Sequence, residues 1–524
     1  MLSPKSVAWP AFGILLSWLV YQRQTCPAGG SPPPTVTLDY GKVLGATTVQ
    51  PTYPGATVKQ FLGVPFASPP ERFLPAVPPV PWELPLNAQE LKPSCHQQFI
   101  MEHYREIFNS PPLPESEDCL YLNIFVPASA TVGSGTPVLF WIHGGNYQIG
   151  SGRHHEFDGS SIAANENVVV VTINYRLGVF GFPASPEIPL EQRNLGLLDQ
   201  RLALKWVHEN IGGFGGDPAK VTLVGESAGA YSVKQILANP PEPLSFRAAI
   251  LQSQARGVQG DGDKSWETLA NGLGCNGEPS GASQLSCVQA APVEKIRQVI
   301  DRYNLGFPPA IDGTTDLGNF AHALEQGNAA KVPLMIGTNA DEGTMLAMIF
   351  PPPRIALGSI FQNDATVVEH VLSTYPENAS EFELKSRIIT DFAYTCTTSA
   401  LATISANAGQ AVWRYYFNAS FPNLQPFPGA GVWHTSENSL IFGTYPRDNQ
   451  TTSQQVRLSR YMQRTWSQFA KDPEAGPGWP QVGKAVRDLQ VMGGNGTSWG
   501  ELIEGKTLDS VCKVYWPAIA AIGV

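Results

Sequence analysis

Pro137 to Ile142 and Val168 to Ile173 are nearly unbroken apolar runs. Successive side chains of a strand point to opposite faces, so a run apolar throughout is covered on both. The two runs therefore predict central parallel strands lying under helices. Val221 to Val224 reads as a shorter strand of the same kind, and Ala230 to Leu237 behind it as the start of a helix. Between Asn194 and Asn210 the apolar residues Leu198, Leu202, Trp206 and Val207 recur at helical spacing. Further strands are expected at Arg247 to Leu251, Val332 to Gly337 and Val412 to Phe417, and a small hairpin at Val36 to Gly45. Strand and helix alternate, which predicts an α/β fold with a large, mostly parallel central sheet flanked by helices. Nothing resembling a linker interrupts the pattern, so residues 26–524 are expected to form a single domain.

The composition fits a large buried core. Of 524 residues 43% are hydrophobic and 15% charged. A net charge of −10 argues against nucleic acid or an anionic membrane surface as partner. Residues Val7 to Val20 are almost wholly apolar, preceded by Lys5, interrupted by Pro10 and followed by polar Tyr21 to Gln24. Fourteen residues are short for a bilayer span, so residues 1–25 read as a signal peptide, with an uncleaved anchor as the alternative. No membrane segment is expected after Trp516. Sequons at Asn378, Asn418, Asn449 and Asn495 fit a secreted, extracellular glycoprotein. The seven cysteines form no C-x-x-C pair, so no metal or cofactor is expected. Local spacing suggests Cys95 with Cys119 and Cys275 with Cys287, leaving Cys26 near the cleavage region.

The chemistry concentrates at Gly225-Glu226-Ser227-Ala228-Gly229. Between a strand and a helix, G-x-S-x-G makes a turn sharp enough to expose the serine hydroxyl at the strand's end. A nucleophilic serine needs a base, an acid to orient it and donors for the oxyanion. Six of the nine histidines precede Ser227, and the order serine, acid, histidine leaves His322, His370 and His434. The first two lie in helical stretches; His434 sits in a glycine-flanked loop after the Val412–Phe417 strand. Asp341 and Glu342, beyond the Val332–Gly337 strand, both qualify as the acid. His143-Gly144-Gly145-Asn146 matches an oxyanion loop of the HGGG type, and Ala228 would add a further N–H.

Several stretches then carry a resemblance. They are Phe61–Phe66, Glu117–Asn123, Asn174–Gly178, Asn194–Arg201, Phe214–Pro218 with the serine motif, Asn339–Gly343 and Gly431–Glu437. From about residue 36 to at least Pro480 the chain resembles the type-B carboxylesterase/lipase family of cholinesterase-like α/β-hydrolases. That resemblance implies Ser227 as nucleophile, His434 as base and Glu342 rather than Asp341 as acid, with Gly145, Asn146 and Ala228 as oxyanion donors. It also implies the disulfides Cys95–Cys119, Cys275–Cys287 and Cys396–Cys512.

Two departures bear on the substrate, a small-molecule or lipid ester. Cholinesterases carry a tryptophan in the loop closed by the first disulfide, where it stacks on a quaternary ammonium. Here that loop has Phe99, Tyr104 and Phe108 but no tryptophan, and Met345 resembles a position that is aromatic in those enzymes. Apolar rather than choline esters are therefore expected. Phe99 to Phe108 suggests a short amphipathic helix, either a lid as in related lipases or a fixed wall. The expected function is a secreted serine carboxylic ester hydrolase working through an acyl-enzyme. A lid-gated lipase or sterol esterase is the alternative, and a non-catalytic adhesion protein of the same fold a distant one.

Overall fold

The computed structural model describes residues 32–50, 55–99, 101–257, 260–275, 283–494 and 499–522. The expected signal peptide, Cys26, Ile100 and the Asn495 sequon lie outside the described residues. Two sheets appear among them. The hairpin β1 (Thr35–Leu38) and β2 (Gly41–Leu44) joins the short β5 (Leu86–Asn87). The large sheet has eleven strands. In chain order they are β3 (Ala46–Val49), β4 (Thr57–Pro65), β6 (Tyr121–Pro127), β7 (Thr136–Ile142), β8 (Val169–Ile173) and β9 (Gly216–Glu226). Then follow β10 (Ala248–Gln252), β11 (Leu334–Asn339), β12 (Val412–Phe417), β13 (Leu489–Met492) and β14 (Glu501–Ile503).

Their spatial order is β14-β13-β12-β11-β10-β9-β7-β8-β6-β4-β3. All neighbours from β8 through β7 and β9 to β13 run parallel. The outer pairings, β13 with β14 and β8 through β6 and β4 to β3, are antiparallel. The predicted apolar strands β7 and β8 lie inside this sheet, buried along nearly their whole length. One apolar cluster fills each face. The helices covering the faces include α1 (Leu195–Asn210), α2 (Ala228–Ala238) and α3 (Ser453–Lys471).

Two of the quoted sequence stretches meet in the core. Arg176, just past β8, forms a two-pronged ion pair with Asp199 on α1: Nε to Oδ2 at 2.8 Å and Nη2 to Oδ1 at 2.7 Å. The Arg176 N–H also donates to Asp199, and Nη1 reaches the Leu74 carbonyl. Both side chains are essentially excluded from solvent. Removing one partner leaves a buried charge uncompensated, which costs about 3–5 kcal/mol. Arg176→Met is therefore expected to lower the unfolding free energy by about that amount in urea titration. A loss under about 1 kcal/mol would mean that Asp199 finds another partner or a proton.

The three expected disulfides, Cys95–Cys119, Cys275–Cys287 and Cys396–Cys512, are all formed. Asn378, Asn418 and Asn449 are exposed. Among the described residues no helix is long and apolar enough to cross a membrane.

Candidate active site

The C-terminal ends of the parallel strands carry the site, as is usual where helices cover both faces of such a sheet. Ser227 links β9 directly to α2, with φ 53° and ψ −122°. That is an unfavourable conformation for a residue with a Cβ and is held by its surroundings. The Ser227 N–H donates to the Gln252 carbonyl at 2.9 Å. Helix and strand can pack this closely because of Gly229: a Cβ there would stand 2.1 Å from the Ile142 carbonyl oxygen.

His434 is buried, and its Nδ1 lies 2.6 Å from Glu342 Oε2. The other oxygen of Glu342 accepts from Ser253 Oγ at 2.5 Å and from the Asn339 N–H at 2.7 Å. A carboxylate has only acceptors, so the Nδ1 position carries the proton and Nε2 is left as the basic atom. Asp341 points elsewhere and fixes the chain, its carboxylate accepting from the Val432 N–H at 2.8 Å. The geometry thus separates the two neighbouring acids. His322 and His370 stay exposed on short helices, away from this cluster.

His434 Nε2 stands 3.2 Å from Oε1 of Glu226, the residue before the serine. Among the described residues no hydrogen bond joins it to Ser227. Such contacts are often loose before substrate binds. Burial opposes charge on His434, but Glu226 and Glu342 outweigh it and raise the imidazole. Burial pushes the Glu226 carboxyl well above the carboxylate range; His434 opposes this, while the nearby Glu437, Glu342 and Glu156 add to it. Its Oε1 has no hydrogen-bond partner. Glu226 and Glu342 thus flank the imidazole, one at each ring nitrogen.

The sequence pattern gave no role to Glu226, Ser253 or Glu437. Glu437 is fully buried and accepts from Gln252 and Asn339. Glu226 and Glu437 both stood within quoted motifs; Ser253 follows β10 without any local signature.

Beside the serine, residues 143–149 form a tight loop. Gly145 has φ 105°, and a Cβ there would lie 2.2 Å from the Ile149 carbonyl oxygen. Asn146 has φ 57°, which asparagine tolerates better than most residues. Its Nδ2 donates to Gln148 at 3.1 Å. Among the described residues the Gly145 N–H donates to nothing, and the Ala228 N–H, first in its helix, has no intrahelical acceptor.

Ser227, His434 and this loop line one cavity of about 730 Å³. Its walls are largely apolar and include Phe99, Tyr104, Phe108, Met345 and Phe350. The expected helix forms at Glu102–Phe108, and the buried Tyr104 hydroxyl ties it to the Met345 carbonyl at 2.8 Å. That bond holds the segment against the body of the protein.

A family model described as the Carboxylesterase family matches residues 32–495. The chain is 34% identical to the para-nitrobenzyl esterase of Bacillus subtilis (strain 168) over 487 residues, 87% of this chain and 94% of that protein. It is 32% identical to an acetylcholinesterase of Bungarus fasciatus over 483 residues, 81% of this chain and 77% of that one. With carboxylesterase 1C of Rattus norvegicus the identity is 30% over 530 residues, 91% and 95% of the two chains.

Proposed function

The chain belongs to the carboxylesterase family and is a carboxylic ester hydrolase, and from that premise we propose that it cleaves apolar esters through an acyl-enzyme on Ser227. The observation that carries this reading is the short Glu342–His434 contact facing the cavity in which the strained serine sits. Ser227 Oγ attacks the ester carbonyl while His434 Nε2 takes its proton. Glu342 keeps the imidazole in the right tautomer and balances its charge. The Gly145, Asn146 and Ala228 N–H groups receive the oxyanion. His434 then protonates the leaving alcohol, and water repeats the sequence on the acyl group. Organophosphate treatment followed by peptide mapping tests the assignment: the adduct belongs on Ser227, and labelling of any other residue rejects it.

The expected route outside the cell agrees with the three disulfides, since such bonds persist in oxidising compartments. Choline esters fit poorly, because the Cys95–Cys119 loop brings phenylalanine and tyrosine, and no tryptophan, to the cavity. Those same side chains favour a second reading, a lipase or sterol esterase taking long acyl chains. An activity series from acetyl to palmitoyl esters separates the two: a short-chain optimum with no jump in rate at substrate aggregation removes the lipase.

The oxyanion loop supplies its own test. A β-branched residue is strained at φ near +57°, so Asn146→Val should turn the peptide and withdraw its N–H. Loss of one such donor costs roughly 10²–10³ in kcat. Asn146→Gly, at home at this φ, should stay within about tenfold of the parent. Equal rates for both variants on p-nitrophenyl butyrate would remove Asn146 from the oxyanion site.

A further inference from the structure

Lys234 is a cation in the cavity wall that ester hydrolysis itself does not use. It lies on α2 seven residues after Ser227, two turns along and close to the same face of the helix. The two Cα atoms are thus roughly 10 Å apart along the axis, and helical side chains lean back toward the N-terminus. Tyr231 stands between them on the same stripe, and Lys234 Nζ sits 4.6 Å from its ring centroid. Only 4% of Lys234 is exposed, yet it lines the cavity that holds Ser227.

Among the described residues no acceptor takes a hydrogen bond from Lys234 Nζ, and no carboxylate forms an ion pair with it. The fully buried Asp316 is engaged elsewhere. It accepts from the Tyr231 hydroxyl at 3.0 Å and the Gly318 N–H at 2.8 Å, and pairs with Arg256 Nη2 at 3.6 Å. Burial pulls the ammonium down to about 8, with Asp316 drawing it up and Arg256 pushing it down. It remains mostly protonated at neutral pH. The other titratable groups of the lining do not offset it. Burial brings Glu156 to about 8, so it is a neutral acid at pH 7, and pushes Glu226 well above the carboxylate range. Burial also lowers His143 to about 4 and His154 to about 3, so neither is charged. A largely apolar cavity thus carries the cations Lys234 and Arg256, with one engaged carboxylate, Asp316, behind them.

We propose that Lys234 is a specificity-determining residue that binds a carboxylate on the substrate, so that the preferred esters carry an ester group and a carboxylate at opposite ends of an apolar chain. A buried cation without a partner is costly, and a substrate carboxylate supplies one. A neutral ester of the same length leaves the ammonium unpaired. This deepens the reading of Ser227 as nucleophile and rests on it.

The test compares two substrate series. In one, monoethyl esters of linear dicarboxylic acids from succinate to sebacate are set against ethyl esters of monocarboxylic acids of matched length. In the other, ω-acetoxy carboxylates are set against the corresponding alkyl acetates. In at least one series the anionic ester should exceed its neutral counterpart in kcat/KM at an optimal length. Lys234→Met should lower that ratio roughly 10- to 100-fold, mainly through KM, the scale of one hydrogen bond to a charged group. Lys234→Arg should retain most of it.

Preference for the neutral ester at every length in both series overturns the proposal, as does a ratio unchanged in Lys234→Met. The wild-type ratios alone decide the matter if Lys234→Met does not fold. Ser227→Ala separates this from the underlying reading. Full turnover of a neutral ester by that variant overturns the nucleophile assignment and this proposal with it, whereas normal loss of turnover with no anionic preference overturns Lys234 alone.

Discussion

Replacing Ser227 by alanine is expected to lower kcat on p-nitrophenyl butyrate by roughly 10⁴–10⁶. The size follows from what remains. On the proposed mechanism the loop at Gly145 and Asn146 would still bind the carbonyl, and such residual binding retains roughly 10³–10⁴ over water. The neighbouring serine offers no substitute. Ser253, the next serine along the sheet, is fully buried and commits its hydroxyl to Glu342. The backbone at residue 227 is held by the Gln252 carbonyl through its N–H, which alanine keeps. The thermal midpoint should accordingly move by no more than a few degrees, and KM should change far less than kcat. A variant within tenfold of the parent, after exclusion of contaminating esterase by active-site titration, would place the nucleophile elsewhere. A collapsed thermal midpoint would instead mean that the hydroxyl holds the turn together.

The parts of this molecule that repeat or clash locally are the ones its sequence discloses. Strands β7 and β8 are visible because burial on both faces demands apolar residues at every position. The turn at Ser227 is visible because close packing at Gly229 excludes a side chain. The antiparallel flank of β3, β4 and β6 gives a weaker signal. Residues of β3 and β4 vary in burial along each strand, and β4 pairs with β6, far away in the chain. Long-range partnerships leave no pattern at all. Arg176 and Asp199 each stood in a quoted stretch, but nothing local says that they meet in the core. Asp341 and Glu342 could be separated only by resemblance, since adjacent carboxylates share the same local signal; their different partners, the Val432 N–H and His434 Nδ1, distinguish them. Ser253 and Lys234 acquire meaning only from what surrounds them after folding.

Glu342→Gln should lower kcat by about 10⁴, while Glu226→Gln, on the other side of the same imidazole, should cost less than about tenfold. The difference lies in the hydrogen bonds each carboxyl makes. Oε1 of Glu342 receives two donors, Ser253 Oγ and the Asn339 N–H. The backbone donor cannot be reversed, so the glutamine carbonyl must take that place and its NH₂ must face His434 Nδ1. An NH₂ there requires Nδ1 to be the acceptor, which puts the ring proton on Nε2 and leaves Ser227 without a base. The pH profile gives a second readout. His434 must be neutral to accept a proton, so activity rises as pH passes its pKa. Burial lowers that pKa while Glu226 and Glu342 raise it, so removing the Glu342 charge should move the rising limb to lower pH as the plateau falls. Burial, the largest influence on Glu226, disfavours its charge, and a neutral amide is close in size and charge to the protonated acid. Its replacement therefore changes little at pH 7. Stopped-flow or steady-state profiles of both variants between pH 5 and 10 would check the pair. Similar losses at the two positions would show that Glu226 carries the charge opposite His434, and that Glu342 serves mainly to anchor Ser253 and Asn339.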